Sequence, residues 1–336
     1  MPSGLQVTST FDDPVKHLTM ALESQWYHTI TRLNAEILHA TYDFYRGRGI
    51  APVLMPITVN SVSSPMGLGS DSLPVKVDLM GEPTYLADSM QFQLEFMLRH
   101  GLPGAYYVMP TFRGEDPDAT HLNQFFHSEA EIPGGLDDVI ELVEAYIRAL
   151  CGALLTASVA ARLSALTGDL SHLRDMAARD SFPRITFAEA CEVVDPEYVS
   201  EPEPGVRTLA RGGEHQLIER FGGAVWVTHM PALAVPFYQA GDDDGTARCA
   251  DLLFGLGEVV GCGERHATKE ATLRALDEHH VAPDKYDWYL HMKDAAPMRT
   301  AGFGLGLERF LAWVLQHDDV RDLHVMPRLK GVPTWM

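Results

Sequence analysis

The segment 112–131 carries polar residues of the types that bind a nucleotide. It opens with Phe-Arg-Gly-Glu, in which Arg113 and Glu115 follow a predicted strand, and a short polar loop leads to His121 and Phe125. A fixed guanidinium offers planar, charge-assisted hydrogen bonds to phosphoryl oxygens, and an aromatic ring on the returning strand can stack on a base. Taken alone, Phe-Arg-Gly-Glu is more often a surface ion pair in a hairpin, so the segment needs support from others.

A second segment, from Asp251 to Arg265, is acidic and rich in glycine. On adjoining strands, Asp251 and Glu258 could hold Mg²⁺ together with the oxygens of a nucleoside triphosphate. Arg265 could then pair with a substrate carboxylate. An isolated segment of this composition is more often a tight hairpin, and its glycines do not match the dinucleotide pattern Gly-x-Gly-x-x-Gly.

The third segment, Gly302–Arg309, reads Gly-Phe-Gly-Leu-Gly-Leu-Glu-Arg. A glycine-rich strand lets a ligand lie flat on the backbone, and Arg309 enters at the start of a predicted helix. A strand packed under a helix explains the same glycines equally well. The chain has no Gly-x-x-x-x-Gly-Lys-Ser/Thr sequence, so P-loop phosphate binding is not expected.

The remaining histidines and cysteines indicate no zinc site. His121 and His127 lack a third ligand at suitable spacing, which favours hydrogen-bonded strand residues over a metal centre. We interpret Cys262 as a small packed residue rather than a reactive thiol. The four cysteines form no Cys-x-x-Cys pair, which is typical of a reduced compartment; they are Cys151, Cys191, Cys249 and Cys262.

Taken in order, these segments and several others resemble the class II aminoacyl-tRNA synthetases, in the asparaginyl/aspartyl branch. The similarity runs from about residue 25 to the end, and it implies an α+β fold with a mostly antiparallel sheet flanked by helices. The matching segments are the helix 25–46 with Pro56 (first motif), 85–95 (YLADSMQFQLE, amino-acid binding), 112–131 (second motif), 227–238 (VTHMPALAVPFY), 251–265 (metal segment) and 302–309 (third motif).

The resemblance implies ATP as cosubstrate and assigns residues to it. Arg113 would contact the α-phosphate, and Arg309 would lie on one face of the base near the γ-phosphate; these two are the expected catalytic residues. Phe125 would stack on the other face of the adenine. Glu115 would lie on the adenine side, and His121 near the outer phosphates.

The resemblance also implies a magnesium site and an amino-acid site. Asp251 and Glu258 would bind Mg²⁺, so that Glu258 also belongs to the nucleotide site. The residues expected to hold the amino acid are Ser89, Gln91, Glu129 and Arg265. In-line attack of a carboxylate on the α-phosphorus needs alignment and charge neutralisation more than acid–base chemistry.

The elements that must position these residues follow from hydrophobic periodicity and from Gly and Pro punctuation. We predict a flexible leader over residues 1–16 and a catalytic domain over 17–336. Predicted helices cover 17–46, 89–99, 137–180, 266–280 and 307–316. Predicted strands cover 50–54, 75–79, 84–87, 105–109, 125–132, 224–227, 252–256, 258–260 and 301–306. Hairpin-like neighbours with helices before and between them indicate an α+β fold.

Three departures from the family pattern shape the functional prediction. The catalytic-type sequence begins almost at once, leaving no room for the branch's N-terminal anticodon-binding domain. The loop after Glu115 is short and has Thr120 where the family usually presents Arg. Leu94 stands where aspartyl enzymes place a substrate-reading Lys, whereas the next residue, Glu95, matches asparaginyl ones.

These departures predict an ATP-dependent, AMP-forming ligase. It would activate aspartate or a relative and pass the acyl group to ammonia or another small nucleophile, as archaeal-type asparagine synthetases do. Two alternatives stay open. One is asparaginyl- or aspartyl-type aminoacylation of tRNA or a carrier, and the other is an inactive regulatory paralogue.

Composition adds expectations about partners and location. The formal net charge is −20, with 26 basic against 46 acidic residues, which tilts the partner toward a small molecule and away from tRNA. The N-terminus lacks a signal-peptide pattern, and no apolar stretch approaches the roughly 20 residues needed to span a bilayer. We therefore expect a cytoplasmic protein without a membrane segment. The first motif predicts a homodimer through residues 25–56.

Overall fold

A computed structural model describes residues 7–63 and 72–334. The strands are β1 (Ala51–Pro52), β2 (Thr58–Val59), β3 (Val75–Leu79), β4 (Glu82–Leu86), β5 (Ala105–Phe112), β6 (Gln124–Pro133), β7 (Arg184–Thr186), β8 (Val199–Glu203), β9 (Val206–Leu209), β10 (Val225–Thr228), β11 (Cys249–Phe254), β12 (Gly257–Glu264) and β13 (Thr300–Gly306). The helices are α1 (Pro14–Glu23), α2 (Gln25–Arg46), α3 (Gln91–Leu98), α4 (Leu136–Leu154), α5 (Ala157–Thr167), α6 (Ser171–Ala178), α7 (Phe187–Val193), α8 (Arg211–Arg220), α9 (Lys269–Glu278), α10 (Asp287–Ala295) and α11 (Leu307–Leu315). Short 3₁₀ helices lie at Pro196–Tyr198, Ala232–Ala234, Pro283–Tyr286 and Val320–Leu323.

The described residues form one large sheet with the strand order β1-β5-β6-β13-β12-β11-β10-β7. All its strand pairs are antiparallel except the two outermost, β1 with β5 and β10 with β7. A small sheet β2-β4-β3 and the hairpin β8-β9 lie beside it. The predicted α+β fold with a mostly antiparallel sheet is confirmed.

The two faces of the large sheet differ in chemistry because side chains alternate along each strand. On β13, Ala301, Phe303 and Leu305 are buried in the main apolar core with residues of α2 and α4. Gly302 and Gly304 therefore belong to the opposite face, where they pair with Glu131 and Glu129 of β6. That polar face carries the site described below.

The helix α4 covers the apolar face of the sheet. Its buried residues recur at helical spacing, from Val139 through Val143 to Ile147 and Leu150. Among the described residues, no single helix is both long and apolar enough to cross a membrane. The bent pair α4–α5, with an angle of 86°, meets the criteria by length and composition.

Several element boundaries differ from the prediction. The helix expected over 17–46 is two helices that meet at Ser24, whose extended backbone and side chain cap α2 through Trp26 N. The helical stretch 137–180 divides into α4, α5 and α6. The loop predicted over 57–74 contains β2, and its residues 64–71 lie outside the described ones.

Part of the predicted flexible leader 1–16 is folded. Residues 1–6 lie outside the described residues, but from Val7 onward the chain packs on the C-terminal segment. Ser9 donates a hydrogen bond of 2.8 Å to Asp322, and α1 begins already at Pro14 with Asp13 as its cap. Long-range contacts of this kind leave no pattern in the local sequence.

Candidate active site

Glycines form the floor of the site on β12 and β13. A Cβ atom at Gly302 would lie 1.7 Å from Glu131 Oε2, and one at Gly263 would lie 2.0 Å from Gln239 Oε1. Any side chain at these positions would occupy the space that the neighbouring polar groups use. The glycine-rich strand thus leaves room for the polar groups on one face and packs under α11.

One cavity, of about 180 Å³, lies over the ends of β6 and β13. The Arg113 guanidinium carbon is 5.6 Å from the centre of the Phe125 ring. Arg113 Nε is buried and has no hydrogen-bond partner among the described residues. Glu115 and His121 line the same cavity. An unpartnered buried donor beside an aromatic face suits a phosphorylated aromatic ligand.

Arg309, in the first turn of α11, closes the other side of this cavity. It donates to the carbonyl of Glu258 at 2.6 Å and to that of Thr120 at 3.4 Å, and its Nη2 lies 3.4 Å from His121 Nε2. Burial lowers the pKa of Arg309 from its usual value, although the Glu258 carboxylate opposes this shift. Arg309 therefore ties the loop before β6 to β12.

The short loop between β5 and β6 is well ordered. Asp118 accepts hydrogen bonds from the backbone of Thr120 at 2.7 Å and of His121 at 2.9 Å, and it also lies 3.0 Å from His121 Nδ1. Although burial opposes it, these contacts lower the pKa of Asp118. Thr120 is buried in this turn, where it shapes the loop and presents its carbonyl to Arg309.

A second cavity, of about 320 Å³, adjoins the first and contains the predicted amino-acid residues Ser89, Gln91, Glu129 and Arg265. Ser89 donates a hydrogen bond of 2.6 Å to Glu129. Burial acts to raise the pKa of Glu129, but contacts with His127 and Ser89 outweigh it and lower the pKa. The ionised carboxylate suits an ammonium group. Gln91 Nε2 is buried without a partner among the described residues.

Arg265 is not free to bind a charged substrate on its own. Its guanidinium contacts Glu131 at 3.2 Å, with both side chains almost completely buried, and Nη1 donates to Gln239 Oε1 at 3.0 Å. This cation is therefore already paired before any ligand arrives, although burial raises the pKa of Glu131 to about 7.

A second buried ion pair lies behind the cavity. Lys293 of α10 pairs with Glu95 of α3, and both side chains are completely buried. Glu95 also accepts a hydrogen bond of 2.6 Å from Tyr289, and Lys293 donates to the carbonyl of His266 at 2.6 Å. Leu94, at the position where aspartyl enzymes place a lysine, belongs to a different, apolar cluster.

The predicted metal ligands come together because of a β-bulge. Leu252 pairs with Val260 but Leu253 pairs with Glu258, so β12 has one extra residue at this point. The extra residue turns Glu258 to the same face as Gly261. A Cβ at Gly261 would lie 2.8 Å from Glu258 Oε1 and 3.5 Å from Asp251 Oδ1, which places the two carboxylates side by side.

A third carboxylate, Glu214 of α8, lies near this pair. Burial and then the charges of Glu258 and Glu214 raise the pKa of Asp251 well above its usual range. Burial and Glu258 raise the pKa of Glu214 to about 7. Within residues 7–63 and 72–334, no three or more His, Cys, Asp and Glu side chains are placed to hold a metal ion by themselves. Crowded oxygen donors nevertheless suit Mg²⁺, which keeps waters and phosphate oxygens as its other ligands.

The structure thus brings every predicted site residue to one face of the sheet. Sequence reasoning missed Glu214, Gln239 and Lys293: Glu214 and Lys293 come from helices outside the matching segments, and Gln239 directly follows the segment 227–238. His127 is a hydrogen-bonded strand residue, as predicted, and its side chain also lines both cavities. Because Phe125, His127 and Glu129 alternate along β6, the sequence could have placed His127 on the same face as the two predicted site residues.

Comparison with known proteins identifies the family. The family described as tRNA synthetases class II (D, K and N) matches residues 13–330. The chain belongs to this family. An asparagine–tRNA ligase from Sorangium cellulosum is 30% identical over 334 residues, covering 93% of this chain and 72% of the relative. One from Koribacter versatilis is 28% identical over 319 residues, covering 92% and 70%.

Solved structures of class II synthetases share the fold. Asparaginyl-tRNA synthetase from Pyrococcus horikoshii, complexed with asparaginyl-adenylate, superimposes with a TM-score of 0.86 at 24% identity, covering 96% of this chain and 72% of that one. The Entamoeba histolytica enzyme, in complex with the same adenylate, gives 0.81 at 21% identity, with 98% and 73% covered. The chain is accordingly a ligase with the ATP-binding catalytic fold of this class.

Two functional expectations change. The expectation against tRNA as a partner is wrong, since the matching relatives are asparagine–tRNA ligases. A net charge of −20 describes the whole surface, whereas tRNA contacts depend on local groups. The comparisons also support the alternative prediction, asparaginyl-tRNA synthetase-like aminoacylation, rather than transfer to ammonia in the manner of an asparagine synthetase.

Proposed function

We propose that this chain activates asparagine with ATP and transfers the asparaginyl group to tRNA. The observation that carries the proposal is the junction of the two cavities, which share Arg113 and Gly304. A nucleotide in the first cavity and an amino acid in the second would meet there, carboxylate against α-phosphate. We take tRNA as the acceptor because the matching relatives are asparagine–tRNA ligases.

The charges around the second cavity favour asparagine over aspartate. Arg265 is neutralised by Glu131, and Lys293 by Glu95, so neither cation is available to a second carboxylate. Leu94 offers only apolar surface at its position. A buried aspartate side chain would therefore lack a counter-charge, whereas an asparagine amide needs only hydrogen bonds.

Every predicted site residue except Arg265, which is paired with Glu131, has a role in this reaction. Glu129 and Ser89 bind the substrate ammonium group, and Gln91 offers its free amide donor. Phe125 stacks on the adenine, with Glu115 and His121 along the nucleotide and Arg309 opposite. Arg113 holds the α-phosphate in line with the attacking carboxylate, which forms the acyl–phosphate bond while pyrophosphate leaves.

Asp251 and Glu258 would hold Mg²⁺ in this reaction. Burial, and then the charge of neighbouring carboxylates, raises the pKa values of Asp251 and Glu214, and a divalent cation would offset the repulsion. Bound Mg²⁺ supplies charge neutralisation at the triphosphate. The protein residues orient the phosphates against Arg113 and Arg309.

The proposed function predicts a defined substrate pattern. Pyrophosphate exchange should require asparagine, ATP and Mg²⁺, and aspartate should be weaker by at least about 100-fold, because its charge is unpaired in the cavity. Excess EDTA should abolish exchange. Radiolabelled asparagine should then appear on tRNA in an ATP-dependent manner, measured by acid precipitation.

Other outcomes of the same panel have definite meanings. Asparagine formed from aspartate and ammonia, without tRNA charging, would contradict the proposal. If no amino acid supports pyrophosphate exchange, the chain is the inactive paralogue. Equal exchange with aspartate and asparagine would refute the charge argument, since that argument rests on the two neutralised cations.

We also propose that the chain forms a homodimer through α2 and its surroundings. Leu38 and Tyr42 of α2 are 46% and 49% exposed, and Phe126 and Met326 are exposed beside an apolar groove that Leu38 also lines. Contiguous exposed apolar surface of this kind marks protein interfaces. Sedimentation should give twice the chain mass of 37.1 kDa.

The substitution Leu38→Asp should shift the dimer toward monomer, because it places a charge in the apolar interface. Leu79→Asp is the matched control, since Leu79 is 45% exposed but lies on β3 of the small sheet. A monomeric unsubstituted protein, or an equal response to both substitutions, would contradict this interface.

A further inference from the structure

The two cavities meet along a seam, and the residues that line both of them are Arg113, His127, Glu258 and Gly304. Three of these four have a proposed role in adenylate formation: Arg113 binds the α-phosphate, Glu258 would bind the metal, and Gly304 belongs to the glycine-rich floor. His127 has none. It nevertheless lies where the acyl–phosphate bond would form and later break.

The contacts of His127 give its ring a defined orientation. Nδ1 lies 2.9 Å from Glu129 Oε1 and 3.4 Å from Thr111 Oγ1. The ring meets Phe125 edge-on, with centres 4.8 Å apart and an interplanar angle of 87°. Its side chain is 15% exposed, so it retains an accessible surface in the cavities.

This orientation determines which ring nitrogen is basic. An ionised carboxylate can only accept hydrogen bonds, so the nitrogen facing Glu129 carries the proton. In the neutral imidazole the other nitrogen, Nε2, is then an acceptor. A carboxylate that orients an imidazole in this way is the arrangement by which histidine serves as a general base.

We propose that His127 is the general base of the acyl-transfer step, with Glu129 holding its tautomer. The proposal rests on the proposed function, because it concerns the second half of the same reaction. The acceptor is a ribose hydroxyl at the end of the tRNA. Adenylate formation needs no such base, since the attacking carboxylate is already ionised.

The hydroxyl oxygen attacks the acyl carbon and forms the new ester bond, while Nε2 of His127 takes the hydroxyl proton. The bond between the acyl carbon and the phosphate oxygen breaks, and AMP leaves with that electron pair. The imidazolium then returns its proton to solvent.

The other groups along the seam are less suited to this role. Arg113 cannot accept a proton, because arginine side chains stay protonated in proteins. Glu258 belongs to the proposed metal pair, and Glu129 already accepts from Ser89 and lies against Nδ1. His121 contacts Asp118 and Arg309, and it lines the first cavity but not the second.

The substitution His127→Gln separates the two half-reactions, because glutamine can keep a contact with Glu129 but cannot act as a base. Single-turnover transfer from enzyme-bound asparaginyl-adenylate to tRNA should fall by about 10²–10⁴-fold, the usual share of a general base. Pyrophosphate exchange should fall by a much smaller factor, about threefold, since only positioning is disturbed. His291→Gln, on the exposed side of α10, is the matched control and should change neither rate.

The outcomes are distinguishable. Retained exchange in the His127→Gln protein reports that it folds and binds both substrates. Equal losses in exchange and transfer, or unchanged transfer, would overturn the role of His127 while leaving the proposed function intact. If the unsubstituted protein exchanges pyrophosphate but never charges tRNA, the proposed function fails and the His127 role with it.

Discussion

Replacing Arg113 with alanine should abolish asparagine activation and leave the fold intact. Arg113 lies at the seam of the two cavities, and its Nε is buried with no partner among the described residues, so its hydrogen-bonding capacity is directed to a ligand. Removing a preorganised cation from a developing phosphate charge costs a factor of about 10³ or more in rate. Asparagine-dependent pyrophosphate exchange measures the loss.

Three comparisons make this result specific. Arg113→Lys keeps the charge but not the planar fork, so it should fall between the alanine variant and the unsubstituted protein. Arg162→Ala removes an exposed arginine from α5 and should leave exchange unchanged. Thermal unfolding of all three variants should match that of the unsubstituted protein. Retained exchange in Arg113→Ala would contradict the phosphate-binding role.

The largest stability effect should come from Lys293→Met. The substitution leaves the Glu95 carboxylate completely buried without its cation, with Tyr289 as its remaining close donor. Breaking a buried pair by removing one partner costs about 3–5 kcal/mol in the free energy of unfolding. Urea unfolding followed by tryptophan fluorescence would measure the change.

The double variant Glu95→Gln with Lys293→Met is the decisive comparison. It removes both charges, so it should be more stable than Lys293→Met alone. Lys269→Met is the control, because Lys269 pairs with Asp294 at a partly exposed site and should change stability by less than about 1 kcal/mol. A loss below about 1 kcal/mol for Lys293→Met would contradict a charged buried pair.

The sequence predicts much of this site because the motifs lie on strands, where alternation alone decides the face. Phe125, His127 and Glu129 occupy every second position of β6, and the structure places all three on the polar face. The glycines of β13 alternate with core residues in the same way. Strand order then follows from the family resemblance rather than from the pattern.

The residues that sequence reasoning missed come from helices and loops that reach the sheet only in three dimensions. Glu214 belongs to α8 and Lys293 belongs to α10, and neither helix was predicted. Their own segments carry no signal, because an acidic or basic residue on an amphipathic helix is usually solvated. Only packing shows that Lys293 is completely buried and that Glu214 is half-buried beside Glu258.

The bulge in β12 affects how the sequences of related proteins should be aligned. The extra residue is Val259, which lies after Glu258 and not between the two acids, and it lets Glu258 and Gly261 share a face although they are three positions apart. A homologue without this residue would form a regular strand in which the same two positions are two apart and again share a face. A one-residue gap directly after the second acid of an alignment is therefore no reason to discard a sequence from a set of working enzymes, whereas replacement of either acid is.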